Sequence, residues 1–576
     1  MSLEETRCTL LNARGNIESL LTLINELYRQ QIKSEDIFLT EALSELHNAG
    51  EIDLLKIFEA VNDTSYKNNP YVIMRVVETT LPSLDAKVAD ILPCLTKLTN
   101  LASGHIVYGA FKCFCSVDNS RPKDSVDFIL KQTELDSYAP FLFYAIMAYN
   151  SGQIAESIQV VTNLIANSDE VIRNQAYSVL GRLNITENQA NIIWNIIKSS
   201  AINEHNDSCR ASILRSIVHF GHIFPSYWPH IESLLTSFVD GASPNILHAI
   251  SNTIAFQQIN IPDSIQKLLI KQLYTISPEH NHIISDIDYL LVSLIKKELY
   301  DIAIELLEST LSCGVDIKSL SYLSKELLGE YTNFRNHIIT KWFLYGEKSL
   351  CHNISILLHN IAEKDLELHA DMTLLDNEEK KLFVSRKAIG WLFTRPIATA
   401  SFIMSISRAA SQHTIETLED ILYEPLLLSY PSELKKLFQT YIDNNEQEYI
   451  CKPLLDKLEA HNLDILRVSG LKELTAPSKN IELYWKDFEK NMQESYEEAS
   501  KSSFFRLIAT PKRLLYGNSS IYYIHQMDGQ SSRQEMQMHS FSHSAEMPTL
   551  NILDPESLDY SLRIFRCERM KNEINS

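Results

Sequence analysis

Glycine and proline are scarce in this chain, 15 and 18 among 576 residues. So few turn formers disfavour a fold built on many tight β-turns. They also leave no Gly-rich phosphate loop, since neither GxxxxGK(S/T) nor GxGxxG occurs. No CxxC pair and no HExxH is present, so the strong metal-site signatures are missing too. The nine cysteines have no regular spacing, and Cys113 and Cys115 stand too close for an ordinary bridge. Reduced, mostly buried thiols of a cytosolic protein are expected. The longest apolar stretch, around YAPFLFYAIMAY, is too short to cross a bilayer. MSLEETRCTLLNARGN has two early glutamates and no continuous apolar core, so it does not read as a secretory signal. Positive charge is also in deficit: 52 Lys and Arg against 73 Asp and Glu give a net charge of -21. That field repels a nucleic-acid duplex unless a basic stripe is segregated on one face.

What is present is apolar material, 45% of residues, enough to fold a chain that is nonetheless too long for one core. Several domains or one elongated array are the options, and with few turn formers the default element is the helix. We expect a protein that is cytoplasmic and free of the membrane.

DEVIRNQAYSVLGRLN, residues 169–184, is one amphipathic helix among several. Similar apolar stripes begin at Val72, Ile106, Phe141, Val171, Ile213, Ile246 and Ile283, in steps of 34, 35, 30, 42, 33 and 37 residues. A second series begins at Val88, Val126, Ala155, Ala190, Trp228, Ile265 and Ala303, in steps of 38, 29, 35, 38, 37 and 38. Both average about 35–36 residues, the length of a helix-turn-helix repeat in a solenoid. The fold class expected is all-α: a right-handed α-solenoid, then a second helical block and a small β-containing appendage.

With its leading acid, its early Arg173 and its terminal Leu180-Gly181, DEVIRNQAYSVLGRLN resembles the helix of a HEAT repeat. AYNSGQIAESIQVVTNLIANSDE and KKELYDIAIELLESTLSCGVD instead resemble tetratricopeptide units, although no unit carries the tetratricopeptide Trp-x-x-Leu-Gly-x-x-Tyr pattern. The resemblance covers roughly residues 66–345. It implies a binding scaffold. No cofactor is expected.

The chain is expected to divide into N-terminal capping helices (1–65), HEAT/tetratricopeptide-like repeats (66–362), a polar linker (363–380), a helical block (381–511) and a mostly β module (512–576). In that module, Asp528-Gly529 between SSIYYIHQM and RQEMQMHSFS signals a hairpin, and TLNIL and YSLRIF read as two further strands. The module is close to neutral, so nearly all of the net acidity belongs to the helical body.

Four clusters carry possible chemistry. Glu279, His280, His282, Asp286 and Asp288 could gather round a divalent ion, although helix caps and surface groups account for the same residues. His219, His222 and His230 with Trp228 read as an inter-helix loop with an aromatic anchor. His539, His543 and Glu546 offer an enzyme site between helical body and β module. Arg386, Lys387, Arg395 and Arg408 form a basic surface in an acidic protein, suited to an anionic partner. With Tyr522 and Tyr523 of the β module, these are the residues expected to meet a partner.

The leading expectation is a non-catalytic scaffold binding protein within a multi-protein assembly. A nucleic-acid-binding solenoid using 386–408 and an enzyme using the β module are the alternatives.

Overall fold

Asp169 shows how the sequence starts a helix. Its carboxylate accepts the Val171 N–H at 2.8 Å, satisfying a donor that has no intrahelical partner. The helix Glu170–Leu180 then buries Ile172, Ala176, Val179 and Leu180 along one stripe. A fully buried Val, Leu or Ile stabilises by roughly 1.5–3 kcal/mol.

The computed structural model describes residues 2–34, 38–61, 70–101, 105–149, 153–257, 259–359, 366–471, 478–501, 509–513, 519–525, 531–537 and 546–570. They are overwhelmingly helical, and among the described residues the fold is all-α apart from one small sheet. No helix among them is long and apolar enough to cross a membrane. The chain forms two compact units, parting between Gln272 and Leu273.

The first unit contains α1 (Leu3–Ala13), α2 (Ile17–Ser34), α3 (Phe38–Asn48), α4 (Leu54–Glu59), α5 (Pro70–Thr80), α6 (Val88–Leu101), α7 (His105–Val117) and α8 (Arg121–Ile129). It continues with α9 (Leu135–Met147), α10 (Ile154–Ile165), α11 (Glu170–Leu180), α12 (Glu187–Asn203), α13 (Asp207–Ile223), α14 (Trp228–Phe238), α15 (Pro244–Phe256) and α16 (Asp263–Gln272). From α1 to α15 each odd-numbered helix packs on the next odd one. Even-numbered helices pair in the same way from α2 to α8 and from α12 to α16.

The second unit contains α17 (Asn281–Lys296), α18 (Tyr300–Ser312), α19 (Ser321–Leu328), α20 (Thr332–Tyr345), α21 (Lys348–His359), α22 (Glu378–Leu392) and α23 (Pro396–Ser407). α24 (Gln412–Ile421), α25 (Pro431–Asp443), α26 (Glu448–Val468) and α27 (Ser478–Lys501) follow. Here too α20 packs on α22, α22 on α24 and α24 on α26.

Polar contacts between neighbouring helices recur at nearly constant sequence separation. Asn48 Nδ2 donates to Ser83 O, 35 residues on, and Asn174 Nδ2 to Ser208 Oγ, 34 on. The thiols of Cys94, Cys209 and Cys313 each donate to the carbonyl 39 residues back, on Leu55, Glu170 and Tyr274. In the second unit Trp342 Nε1 reaches Glu308 at a separation of 34, and Arg395 reaches the His359 carbonyl at 36.

The stretch read as a polar linker is packed where it is described. Leu368 is fully buried with its N–H on Ser401 Oγ, and His337 Nδ1 lies 2.6 Å from Asp371.

Three strands, β1 (Ala509–Arg513), β2 (Ser519–His525) and β3 (Ser531–Gln537), form an antiparallel sheet in the order β1-β2-β3. Asp528-Gly529, the signal for the hairpin turn, lies outside the described residues. The two further strands expected at TLNIL and YSLRIF are helices, Leu550–Leu553 and Pro555–Cys567. Asp554 decides the second: its carboxylate accepts the Ser557 N–H at 3.2 Å, and Pro555 sits at the first helical position. Leu558 and Leu562, one helical turn apart, then bury together.

Candidate partner-binding surfaces

In the first unit, α4, α6, α8 and the turns before them enclose an open groove of about 1220 Å³. Seven carboxylates line it (Asp53, Glu59, Asp85, Asp90, Asp118, Asp124, Asp127) against four cations (Lys56, Lys87, Arg121, Lys131). Of those cations Arg121 is already committed. It donates to the carbonyls of Phe114 and Leu84 at 3.0 and 3.2 Å and lies 3.9 Å above the Phe114 ring. Lys56 pairs with Asp53 at 3.2 Å. The groove therefore presents surplus negative charge, a polarity complementary to a Lys- or Arg-rich segment. Nothing in the sequence pattern singles these acids out, because they come from three helix pairs and from turns between them.

Arg386, Lys387, Arg395 and Arg408 do not make one open patch. Lys387 is fully buried, and its Nζ donates to the carbonyls of Arg566 and Glu568 at 2.7 and 2.6 Å. These carbonyls end the helix Pro555–Cys567, where unpaired C=O groups and the negative end of the helix dipole attract a cation. Burial lowers the pKa of the Lys387 ammonium. Its expected role in meeting an outside partner is therefore corrected: it is spent on the chain's own C-terminal helix. Arg386 grips the same helix through Glu568, with Nε to Oε2 at 2.8 Å and Nη2 to Oε1 at 2.6 Å. Arg566 Nε donates to the Gly390 carbonyl, and a Cβ at Gly390 would stand 3.1 Å from Arg566 and Phe565, so the helices meet where a side chain is missing.

Arg395 and Arg408 lie apart from this contact. Arg395 donates to the His359 carbonyl at 2.9 Å, and Arg408 pairs with Glu446 at 2.8 Å with both side chains about half exposed. Tyr522 and Tyr523 sit on the middle strand β2, opposite Pro511 and Thr510 of β1. Tyr523 is partly buried.

The other clusters are resolved by what their side chains touch. Asp288 accepts the N–H groups of Tyr322 and Leu323 at 2.8 and 2.7 Å, capping α19 from the neighbouring helix, and burial raises its pKa. Asp286 is buried with it, and no group of three metal-ligating side chains occurs among the described residues. Glu546 accepts the N–H groups of Ser432 and Glu433 at 2.7 and 2.8 Å, a cap on α25 that occupies both its oxygens. The alternative reading of Glu546 as part of an enzyme site thus meets a carboxylate already engaged in a helix cap. His539 and His543 lie outside the described residues. Trp228 packs over Gly221, where an added Cβ would come within 2.6 Å of the indole.

No protein-family model matches the chain, and no curated protein matches it.

Proposed function

We propose that this protein is a non-catalytic α-solenoid scaffold that holds a protein partner within a larger assembly. The observation that carries the reading is the run of helix-to-helix hydrogen bonds at separations of 34–39 residues, close to the repeat length read in the sequence. A unit of that kind cannot bury its apolar face alone. Stacked units supply an extended surface, which suits a binding partner better than a closed reaction pocket. The HEAT-like and tetratricopeptide-like stretches accord with such stacking, and a right-handed superhelix is its expected form. The partner we assign to the groove of α4, α6 and α8 is a protein carrying a Lys- or Arg-rich segment, on the strength of the groove's surplus carboxylates. All nine cysteines are free thiols, which favours a cytoplasmic setting.

The test is affinity capture with the full-length chain from nuclease-treated and untreated lysate, repeated with Asp90→Lys combined with Asp124→Lys. A stoichiometric protein that survives nuclease and is lost from the double variant is the expected result. Its binding should weaken with salt, because rim charges are screened. Recovery of nucleic acid, or a partner indifferent to the double variant, would overturn the assignment.

A further inference from the structure

Arg182 and Arg215 are neighbouring cations in an acidic protein, and neither is paired with an acid. Some arginines pair with one, Arg173 with Glu204, Arg386 with Glu568 and Arg408 with Glu446, and others, such as Arg121 and Arg566, are committed to backbone carbonyls instead. Among the described residues no carboxylate is in ion-pair contact with Arg182, and Arg215 makes no hydrogen bond or ion pair at all. Both guanidiniums are half-buried, and their charges oppose each other.

The backbone forces this meeting. α11 and α13 touch at Gly181, whose N–H donates to Ser216 Oγ at 3.2 Å and whose missing Cβ would lie 2.1 Å from the Ser216 carbonyl oxygen. Arg182 follows that glycine. Arg215 precedes Ser216, and His219 lies one turn further along the same face. Arg182 Nη2 is 2.6 Å from His219 Nε2, so a neutral ring accepts there and fixes the guanidinium. Burial, then the Arg182 charge, pushes the His219 pKa down to about 4, which keeps the ring neutral. On the α9 side Phe143 lies 5.6 Å from the Arg182 guanidinium. Phe143 also meets Tyr144 edge-on at 5.0 Å, and Tyr144 stacks on Tyr108 at 5.1 Å.

We infer that Arg182 and Arg215 form a binding site for a phosphate monoester, with the rings of Phe143 and Tyr144 beside the group that carries the phosphate. Two uncompensated guanidiniums match an oxyanion of nearly two negative charges. A single carboxylate would neutralise only one of them. The planar fork of arginine suits paired oxygens better than a lysine would. A phosphorylated side chain and a mononucleotide share this chemistry. The site is separate from the acidic groove and does not depend on the partner assigned there.

The test is calorimetric titration of the full-length chain with inorganic phosphate, phenyl phosphate, adenosine monophosphate and benzoate. Arg215→Gln is the decisive variant, because Arg215 holds no structural bond and its loss should leave the melting temperature unchanged. Phenyl phosphate or adenosine monophosphate should bind, benzoate about tenfold more weakly or worse, and Arg215→Gln should lose about tenfold or more for both esters. Whichever ester binds tighter supports its own class as the source, an aryl phosphate side chain or a nucleotide. No binding of either ester, equal binding of benzoate, or an unaltered affinity in Arg215→Gln would overturn the site.

Discussion

Arg173 Nε donates to Glu204 Oε2 at 2.9 Å, and the same oxygen accepts the Tyr177 hydroxyl at 3.1 Å. The other carboxylate oxygen takes the N–H groups of His205 and Asn206, tying α11 to the turn between α12 and α13. Both charged side chains are mostly buried. Removing one leaves the other charge buried without a partner, so Arg173→Leu or Glu204→Leu should each destabilise the protein by about 3 kcal/mol. The double replacement should cost less than the sum of the two. Urea unfolding of the four proteins measures this, and additive losses would refute the coupling. Burial raises the Glu204 pKa, but the bonds from Arg173, Asn206 and Tyr177 outweigh it and hold the group below its ordinary 4.5. The pair's contribution is therefore complete above pH 4.5 and fades as the pH falls toward the lowered value.

The approach of α11 to α13 rests on one absent side chain. A Cβ at Gly181 would collide with the Ser216 backbone, whereas one at Gly15 would meet nothing within 4 Å. Gly181→Ala should lower stability by about 1–3 kcal/mol through forced separation of the two helices. Gly15→Ala should change it by less than about 0.5 kcal/mol. Equal melting temperatures for the two variants would show that the approach is softer than the geometry implies.

Much of the helical body was legible. Every anchor of the two periodic series, from Val72 to Ile283 and from Val88 to Ala303, falls inside a helix, because a 3.6-residue apolar stripe is a local property. What escaped depends on distant partners. Short apolar runs such as YSLRIF fit strand or helix, and Asp554 with Pro555 tipped the balance. Arg386 and Lys387 read as a surface until their seat, Arg566 and Glu568, was placed against them from some 180 residues away. Arg182 carries no signal in the sequence because its neighbours Arg215 and His219 arrive only through helix packing.

His219 gives the fold a dependence on pH of known sign. Its pKa falls from 6.5 in the unfolded chain to about 4 in the fold, through burial and then the Arg182 charge, with Arg215, His222 and Tyr144 also near the cluster. Above pH 6.5 the ring is neutral in both states and costs nothing. Between 6.5 and 4 the unfolded state takes the proton first, so stability declines as the pH falls, by on the order of 3 kcal/mol at the limit. His219→Gln should flatten that part of the stability-pH curve without changing its upper plateau by a comparable amount. An unchanged slope would assign the dependence to other groups.

The C-terminal helix is held by groups whose removal has a local readout. Arg386→Glu sets two carboxylates against each other at the seat of Glu568, where a charge-assisted pair contributes roughly 1.5–3 kcal/mol. Lys387→Met keeps the chain length of the buried side chain but leaves the Arg566 and Glu568 carbonyls without their donor. Each variant should speed hydrogen exchange of the amides in 555–567 by about ten- to a hundredfold, while the amides of α11 and α13 keep their rates. Arg408→Glu, which disturbs only the half-exposed pair with Glu446, is the control and should leave 555–567 protected. If 555–567 exchanges at the same rate in all four proteins, the helix is held by Leu558 and Leu562 packing alone, and the two basic residues regain the freedom to meet a partner.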